Sequence, residues 1–279
     1  MQHICSIGLG LSLGLFVTRN RHKHSQAPDA HAHERSTACP TGYAPKEFQE
    51  MVAAAHPNPN PLGTTLFNTI QQRRSIFPKD FTGEIVPVHV VEECLAAANW
   101  APTHGKTQPW RFTVIANNSE AMARFASFRD AYMETTLDGD KLDKYRKKML
   151  RKQKAMKNTT YTIFIMVKAV TTASGRRMKQ WEEIAATAMA VQNFHLQLTC
   201  HWESGYGGYW SSGGAETYLK DSKEIRQMLG AVNAAGEEND GVDDLVLGAF
   251  YVGHCLPSKM NKYRSSRGDI SEKVKWIRD

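Results

Sequence analysis

The sequence predicts an α+β sandwich, and three observations carry that expectation. Segments with apolar residues at helical spacing alternate with a few short apolar runs of strand length, at 161–170 and 245–252. Such strands are too few for a doubly wound nucleotide fold, and no Gly-x-Gly-x-x-Gly follows any of them. The chain has 279 residues, 41% of them hydrophobic, which suffices for one large or two small domains with a sizeable core.

Taken in order, the chain begins with something other than the folded domain. Residues 4–17 form an apolar run rich in Leu and Gly, followed by Arg19, Arg21 and Lys23 ahead of the first acidic residue, Asp29. The run is shorter than the roughly twenty residues of a comfortable membrane span. Residues 1–24 therefore read as a targeting segment, secretory or organelle-directed, that touches a membrane only if it stays uncleaved; no positive charge precedes the run, and the compartment stays open. Residues 25–63, rich in Pro, Ala, Asn and His, read as an extended linker interrupted by a short helix at 43–55, with the folded domain spanning 64–279.

A helix over 64–72 leads into Arg73-Arg74-Ser75. A second, over 88–100, carries Val90, Val91, Cys94, Leu95, Ala97 and Ala98 at helical spacing, and Pro102 ends it. After the strand at 111–116 come a polar-faced helix at 119–129, a basic one at 142–156 and the buried strand at 161–170. The longest helix covers 179–202; its Ala185, Ala186, Ala188 and Ala190 allow close helix approach and make it the candidate dimer centre. A glycine-rich loop at 205–213, a helix near 222–229 and the strand at 245–252 complete the order.

Chemistry concentrates between Arg73 and Trp110. Two adjacent guanidiniums beside the Ser75 hydroxyl suit a phosphate and a polyol, because planar forks grip anionic oxygens in pairs. Standing alone, the pair would read as exposed helix-end charges. In the turn Ala101-Pro102-Thr103-His104-Gly105-Lys106-Thr107-Gln108-Pro109-Trp110, His104 and Gln108 offer donors and acceptors to a heteroaromatic edge, while Pro109-Trp110 makes a stiff apolar wall. Trp110 serves equally well as a core aromatic, and a loop hydrogen bond competes for His104.

The net charge of +7 raises nucleic acid as a partner, but the excess lies mostly at 141–157 with no base-stacking or groove-reading motif beside it. A solvated helix face is the simpler reading, and a basic lid that attracts the phosphates of a pyridine nucleotide the sharper one. The five cysteines have no Cys-x-x-Cys or metal spacing and are expected as thiols, Cys94 and Cys200 as small core residues. His22, His24, His31 and His33 follow from tail composition, so no metal site is expected.

Together these blocks resemble the nitroreductase family of flavin-dependent oxidoreductases. That family opens on a helix ending in Arg-Arg-Ser, follows with a helix ending in Ala-Pro, and carries Gln-Pro-Trp before a strand; the long helix from Trp181 and the run Gly205-Tyr206-Gly207-Gly208-Tyr209-Trp210-Ser211-Ser212-Gly213 continue the likeness. It covers roughly 64–264 and is closest to the small bacterial branch with Ala-Pro-Asp-His and Trp-Arg-Ser. Thr103 stands where that branch has Asp, Ser211 where it has Arg, and Phe77 where many members carry a further Arg.

The resemblance implies a mixed or antiparallel central sheet flanked by helices, in a homodimer. It implies FMN as cofactor, NADH or NADPH as hydride donor, and ping-pong transfer to a flat electron-poor acceptor such as a nitroaromatic or quinone. Arg73 and Arg74 would meet the phosphate and ribityl oxygens with Ser75 beside them, and Lys262 and Arg264 would close on the phosphate. His104 and Gln108 would lie near the ring, partly from the second subunit; Gly207 and Gly208 would line the ring, with Trp210, Ser211 and Ser212 at its polar edge. The flavin does the chemistry, so no catalytic side chain is named. A flavin-storage protein without rapid turnover and a reductive dehalogenase of the same fold are the alternatives; Gln108 in place of Glu and the lack of a Glu-Tyr-Lys lid count against the latter.

Overall fold

The computed structural model divides the chain into two units, Met1–Pro57 and Asn58–Asp279. The structure describes residues 61–168, 170–172, 174–231, 244–263 and 266–277. The targeting run, the linker up to residue 60, the short helix at 43–55 and Arg264 therefore lie outside the described residues.

Four strands make one antiparallel sheet in the order β1-β2-β4-β3: β1 (Trp110–Ala116), β2 (Tyr161–Val167), β3 (Tyr206–Ser211) and β4 (Leu245–His254). Helices cover both faces. The α+β sandwich with a helix-flanked antiparallel sheet is thus observed.

The central strands explain their own composition. Along β2, Ile163 and Ile165 enter one core cluster, while Phe164 and Met166 enter the other. Because both faces are covered, the strand reads as a continuous apolar run rather than an alternation. On one face lie α2 (Val88–Ala98) and α5 (Gln180–Thr199), which interlock through Val90, Val91, Cys94 and Ala98 against Ala186, Ala190, Phe194 and Leu198. Two of the small residues expected at a dimer centre, Ala186 and Ala190, are thereby buried within the chain against α2. On the other face lie α3 (Glu120–Thr136), α4 (Gly139–Met156), α6 (Tyr218–Asp221) and α7 (Lys223–Leu229).

Local signals set most boundaries. The Ser119 side chain caps α3 by accepting from the Met122 amide at 3.2 Å, and α3 runs on past residue 129 because Tyr132 and Met133 extend its apolar stripe. Ser222 caps α7, and Gly230, at φ 77°, ends it in the left-handed conformation that glycine adopts without strain. The helix expected from residue 64 begins earlier: α1 is Pro61–Gln72, with proline in the first turn, where its missing N–H loses nothing.

Three expectations are corrected. The glycine-rich segment at 205–213 is largely an edge strand, β3, because its glycines let neighbouring side chains press onto the sheet. Cys200 is exposed at the end of α5, while Cys94 and Cys255 are buried; all three are free thiols. The basic helix starts at Gly139, and among the eight cations from Lys144 to Lys157 only Lys152 turns inward. The others are exposed, as a solvated face requires. Among the described residues no helix is long and apolar enough to cross a membrane, and no cluster has the composition of a metal site.

Candidate active site

The double-arginine segment leaves α1 and runs beside β3. Ser75 bridges Gly208 in parallel, and the Ile76 amide donates to the Gly208 carbonyl at 2.9 Å. From behind, His195 of α5 donates Nε2–H to the Arg74 carbonyl at 2.9 Å, with its ring edge-on to Phe250 at 4.9 Å. Burial first, then the nearby Arg73 charge, hold this imidazole down at about 4, so it is neutral at ordinary pH and acts as a fixed donor. Nothing in the local sequence marks His195 except its place on a helix face otherwise filled by core residues.

The guanidinium of Arg74 folds back, with Nη1 donating to the Gln71 carbonyl and to its neighbour Arg73's carbonyl. Arg74 thus closes the C-terminal end of α1, where helix carbonyls lack partners. Arg73 is half-buried. Burial, then Arg267, then Arg74 push its guanidinium below the usual arginine range. Among the described residues Arg73 pairs with no carboxylate, so three guanidiniums crowd a patch that a dianion would relieve.

An aromatic tier adjoins this patch. Phe77 packs on Tyr209 at 4.5 Å and on Tyr263 at 5.7 Å between ring centroids, and the Tyr263 hydroxyl donates to the Asp80 carboxylate. This stack ties the segment after β4, including the short helix α8 (Pro257–Met260) and exposed Lys262, to the segment after the arginines. The Phe77–Tyr209–Tyr263 stack was not legible in the sequence, since its partners are far apart along the chain.

The glycines also have a packing role. A Cβ on Gly207 would come within 2.8 Å of Ile76, and one on Gly208 within 2.2 Å of Phe250. What presses against them is the chain's own core. Trp210 donates its indole N–H to the Leu247 carbonyl at 3.2 Å. Leu247 is the residue skipped where β2 and β4 change register, between Ile165 opposite Gly248 and Met166 opposite Val246. Ser211 Oγ accepts from the Gly213 amide, and Ser212 is exposed.

His104 and Gln108 gather elsewhere, on a turn packed against the start of α5. His104 Nδ1 donates to Glu182 at 2.8 Å and Thr107 donates to Glu183 at 2.9 Å. The Gln108 amide donates to Thr103 Oγ1, and its carbonyl accepts from Arg111. Gln108 and Lys106 hold φ of 47° and 57°, a left-handed strain tolerated where surrounding contacts dictate it. Glu183 is 5% exposed with Oε1 unbonded among the described residues; burial chiefly raises its carboxyl above the usual range, and the Thr107 bond opposes this. Trp110 is a core aromatic, 5% exposed, donating to Asn99.

Along α5 the two groups are far apart. The turn is anchored at Glu182 and the arginine segment at His195, thirteen residues further on, or about 20 Å of helix. One chain does not bring them together.

Comparison with known proteins gives a consistent result. Residues 70–254 match the model of the nitroreductase family. A Bacillus subtilis (strain 168) protein named as an NAD(P)H nitroreductase, YfhC, is 31% identical over 170 residues, which are 60% of this chain and 77% of that one. Among solved structures, a nitroreductase-like family protein from Bacillus cereus superposes with a TM-score of 0.55 at 23% identity, over 77% of this chain and 96% of the other. The FMN-dependent nitroreductase NfnB of Mycobacterium smegmatis, solved with NADPH, gives a TM-score of 0.53 at 15% identity over 78% and 100%.

Proposed function

Because this chain belongs to the nitroreductase family, we propose that it is an FMN-dependent oxidoreductase that takes hydride from NADH or NADPH and passes the electrons to a flat electron-poor acceptor, nitroaromatic or quinone, by a ping-pong route. The observation that carries this reading is the crowd of Arg73, Arg74 and Arg267 beside Ser75, with no carboxylate pairing with Arg73 among the described residues. A phosphate monoester matches that charge, and the half-buried setting strengthens each contact. The Phe77–Tyr209 pair offers the adjoining flat wall. When bound, the flavin supplies reversible hydride acceptance at its ring.

The chain's own part is placement. Arg73 would meet the phosphate, with Ser75 beside it and Lys262 and Arg264 closing from the C-terminal side. Arg74 holds the helix end from which this segment departs. His104 and Gln108, about 20 Å away along α5, would reach the ring site of a second copy, which makes the functional unit a homodimer. Residues 1–24 remain a targeting segment in this reading, and the residues from 25 up to α1 its linker.

The test is spectroscopic. The purified full chain is expected to carry FMN, to bleach when NADH or NADPH is added without oxygen, and to recover its colour on adding a nitroaromatic or quinone. Bound flavin that stays oxidised would remove the reductase, and a colourless protein that also refuses added FMN would remove the cofactor. Arg73→Gln is expected to weaken FMN retention about tenfold or more, since it removes a charge-assisted bond of roughly 1.5–3 kcal/mol.

A further inference from the structure

A cavity of about 260 Å³ lies between the sheet and the helices α3 and α4. Among the described residues none of those assigned to the cofactor lines it; the two regions adjoin through Gly213, through Ala249 opposite Ser211 in the sheet, and through Tyr251 stacked on Tyr209 at 6.4 Å. Its walls are apolar and aromatic: Met122, Phe125, Met156, Phe164, Tyr218 and Tyr251. Among the described residues its charged lining consists of Arg129, Lys152 and Lys157, with no Asp or Glu.

Two of these cations are built into the protein. Arg129 is 9% exposed. Its Nε donates to Asp130 Oδ1 at 2.9 Å, and the same oxygen accepts from the Tyr145 hydroxyl at 2.8 Å, which fixes the guanidinium in place. Nη2 lies 2.8 Å from that oxygen without the alignment of a hydrogen bond and is otherwise buried and unbonded among the described residues. Lys152, the one inward cation of α4, lies 5.8 Å from the Tyr251 ring centroid and has no ion pair among the described residues. Burial first, then Arg129 and Lys148, push its amine below the usual lysine range. Asp130 already pairs with Arg129, and the second partly desolvated cation, Lys152, faces a cavity whose walls are largely apolar, where an anion would offset its charge.

We propose that this cavity is a second ligand site, separate from the cofactor patch, that takes a small monocarboxylate with a compact apolar ring body. Asp130 offsets one of the two buried charges, which leaves room for one negative charge rather than two. The carboxylate meets the Arg129 guanidinium and the Lys152 ammonium, and the ring body fills the Phe125, Phe164 and Tyr251 walls. The volume sits at the small end of ligand pockets. Asn118, Gln153 and Lys157, all exposed, place its mouth at the surface.

The experiment is calorimetric titration of the full chain with cyclohexanecarboxylate, whose puckered ring cannot stack flat on a flavin, against its neutral amide. The acid is expected to bind and raise the melting temperature, and the amide to bind at least about tenfold more weakly. Lys152→Met is expected to lose about tenfold for the acid while melting no lower than wild type, because it removes a desolvated charge, and Lys152→Arg is expected to keep the affinity. Ala126→Phe, which fills the cavity from α3, is expected to abolish binding. Equal binding of acid and amide, unchanged binding by Lys152→Met, or release of flavin as the acid binds would each overturn the proposal. Flavin content is read in the same samples, so a colourless protein that still binds the acid fails the cofactor assignment and upholds this site.

Discussion

His195 shows how much of this site rests on a residue that touches no ligand. Its neutral ring donates to the Arg74 carbonyl and so fixes where the arginines depart from α1. In the folded chain it stays unprotonated down to about pH 4, whereas the unfolded chain protonates near pH 6.5. The unfolded state thus binds more protons in this window. The stabilisation present above pH 6.5 is lost as pH falls toward 4 and amounts to about 3 kcal/mol at most. His195→Gln, which keeps a donor without the titration, is expected to flatten the loss of stability between pH 6.5 and 4 in urea denaturation. A variant as acid-sensitive as wild type would assign that loss to other groups.

At the scale of elements, the sheet carries a lesson about what composition reveals. The strands β2 and β4 were legible as short continuous apolar runs, and the helices α2, α3 and α5 through apolar residues at helical spacing. The strand β3 was not. Its Gly207 and Gly208 read as a loop, yet they are small because Ile76 and Phe250 occupy the space a side chain would need. Gly208→Ala is accordingly expected to destabilise by about 2 kcal/mol through overpacking, measured by thermal or urea unfolding. The candidate site was legible where it is local, in Arg73-Arg74-Ser75 and the 101–110 turn. It was illegible where it depends on pairing across the fold: Glu182 under His104, Tyr263 over Phe77, Arg267 beside Arg73.

The whole molecule presents a surface that one chain leaves uncovered. Trp100 is 87% exposed and Trp181 64%, and Leu66 and Ile70 on α1 and Met189 on α5 are exposed as well. Large apolar groups of this kind, on α1 and α5 and just past the end of α2, suit a subunit interface. Trp181→Glu is expected to shift the protein from dimer to monomer in analytical ultracentrifugation and to release flavin with it. A dimer that persists would place the interface elsewhere.

The separation of about 20 Å along α5 between the anchors of the two residue groups has a genetic counterpart. If each reaction centre draws its arginines from one copy and its Gln108 turn from the other, two inactive alleles can rescue each other. An Arg73→Gln chain mixed with a Gln108→Ala chain forms hybrids in which one centre inherits both lesions and the other inherits neither. Random pairing then restores about a quarter of the wild-type centres. Two alleles damaged in the same group would restore none.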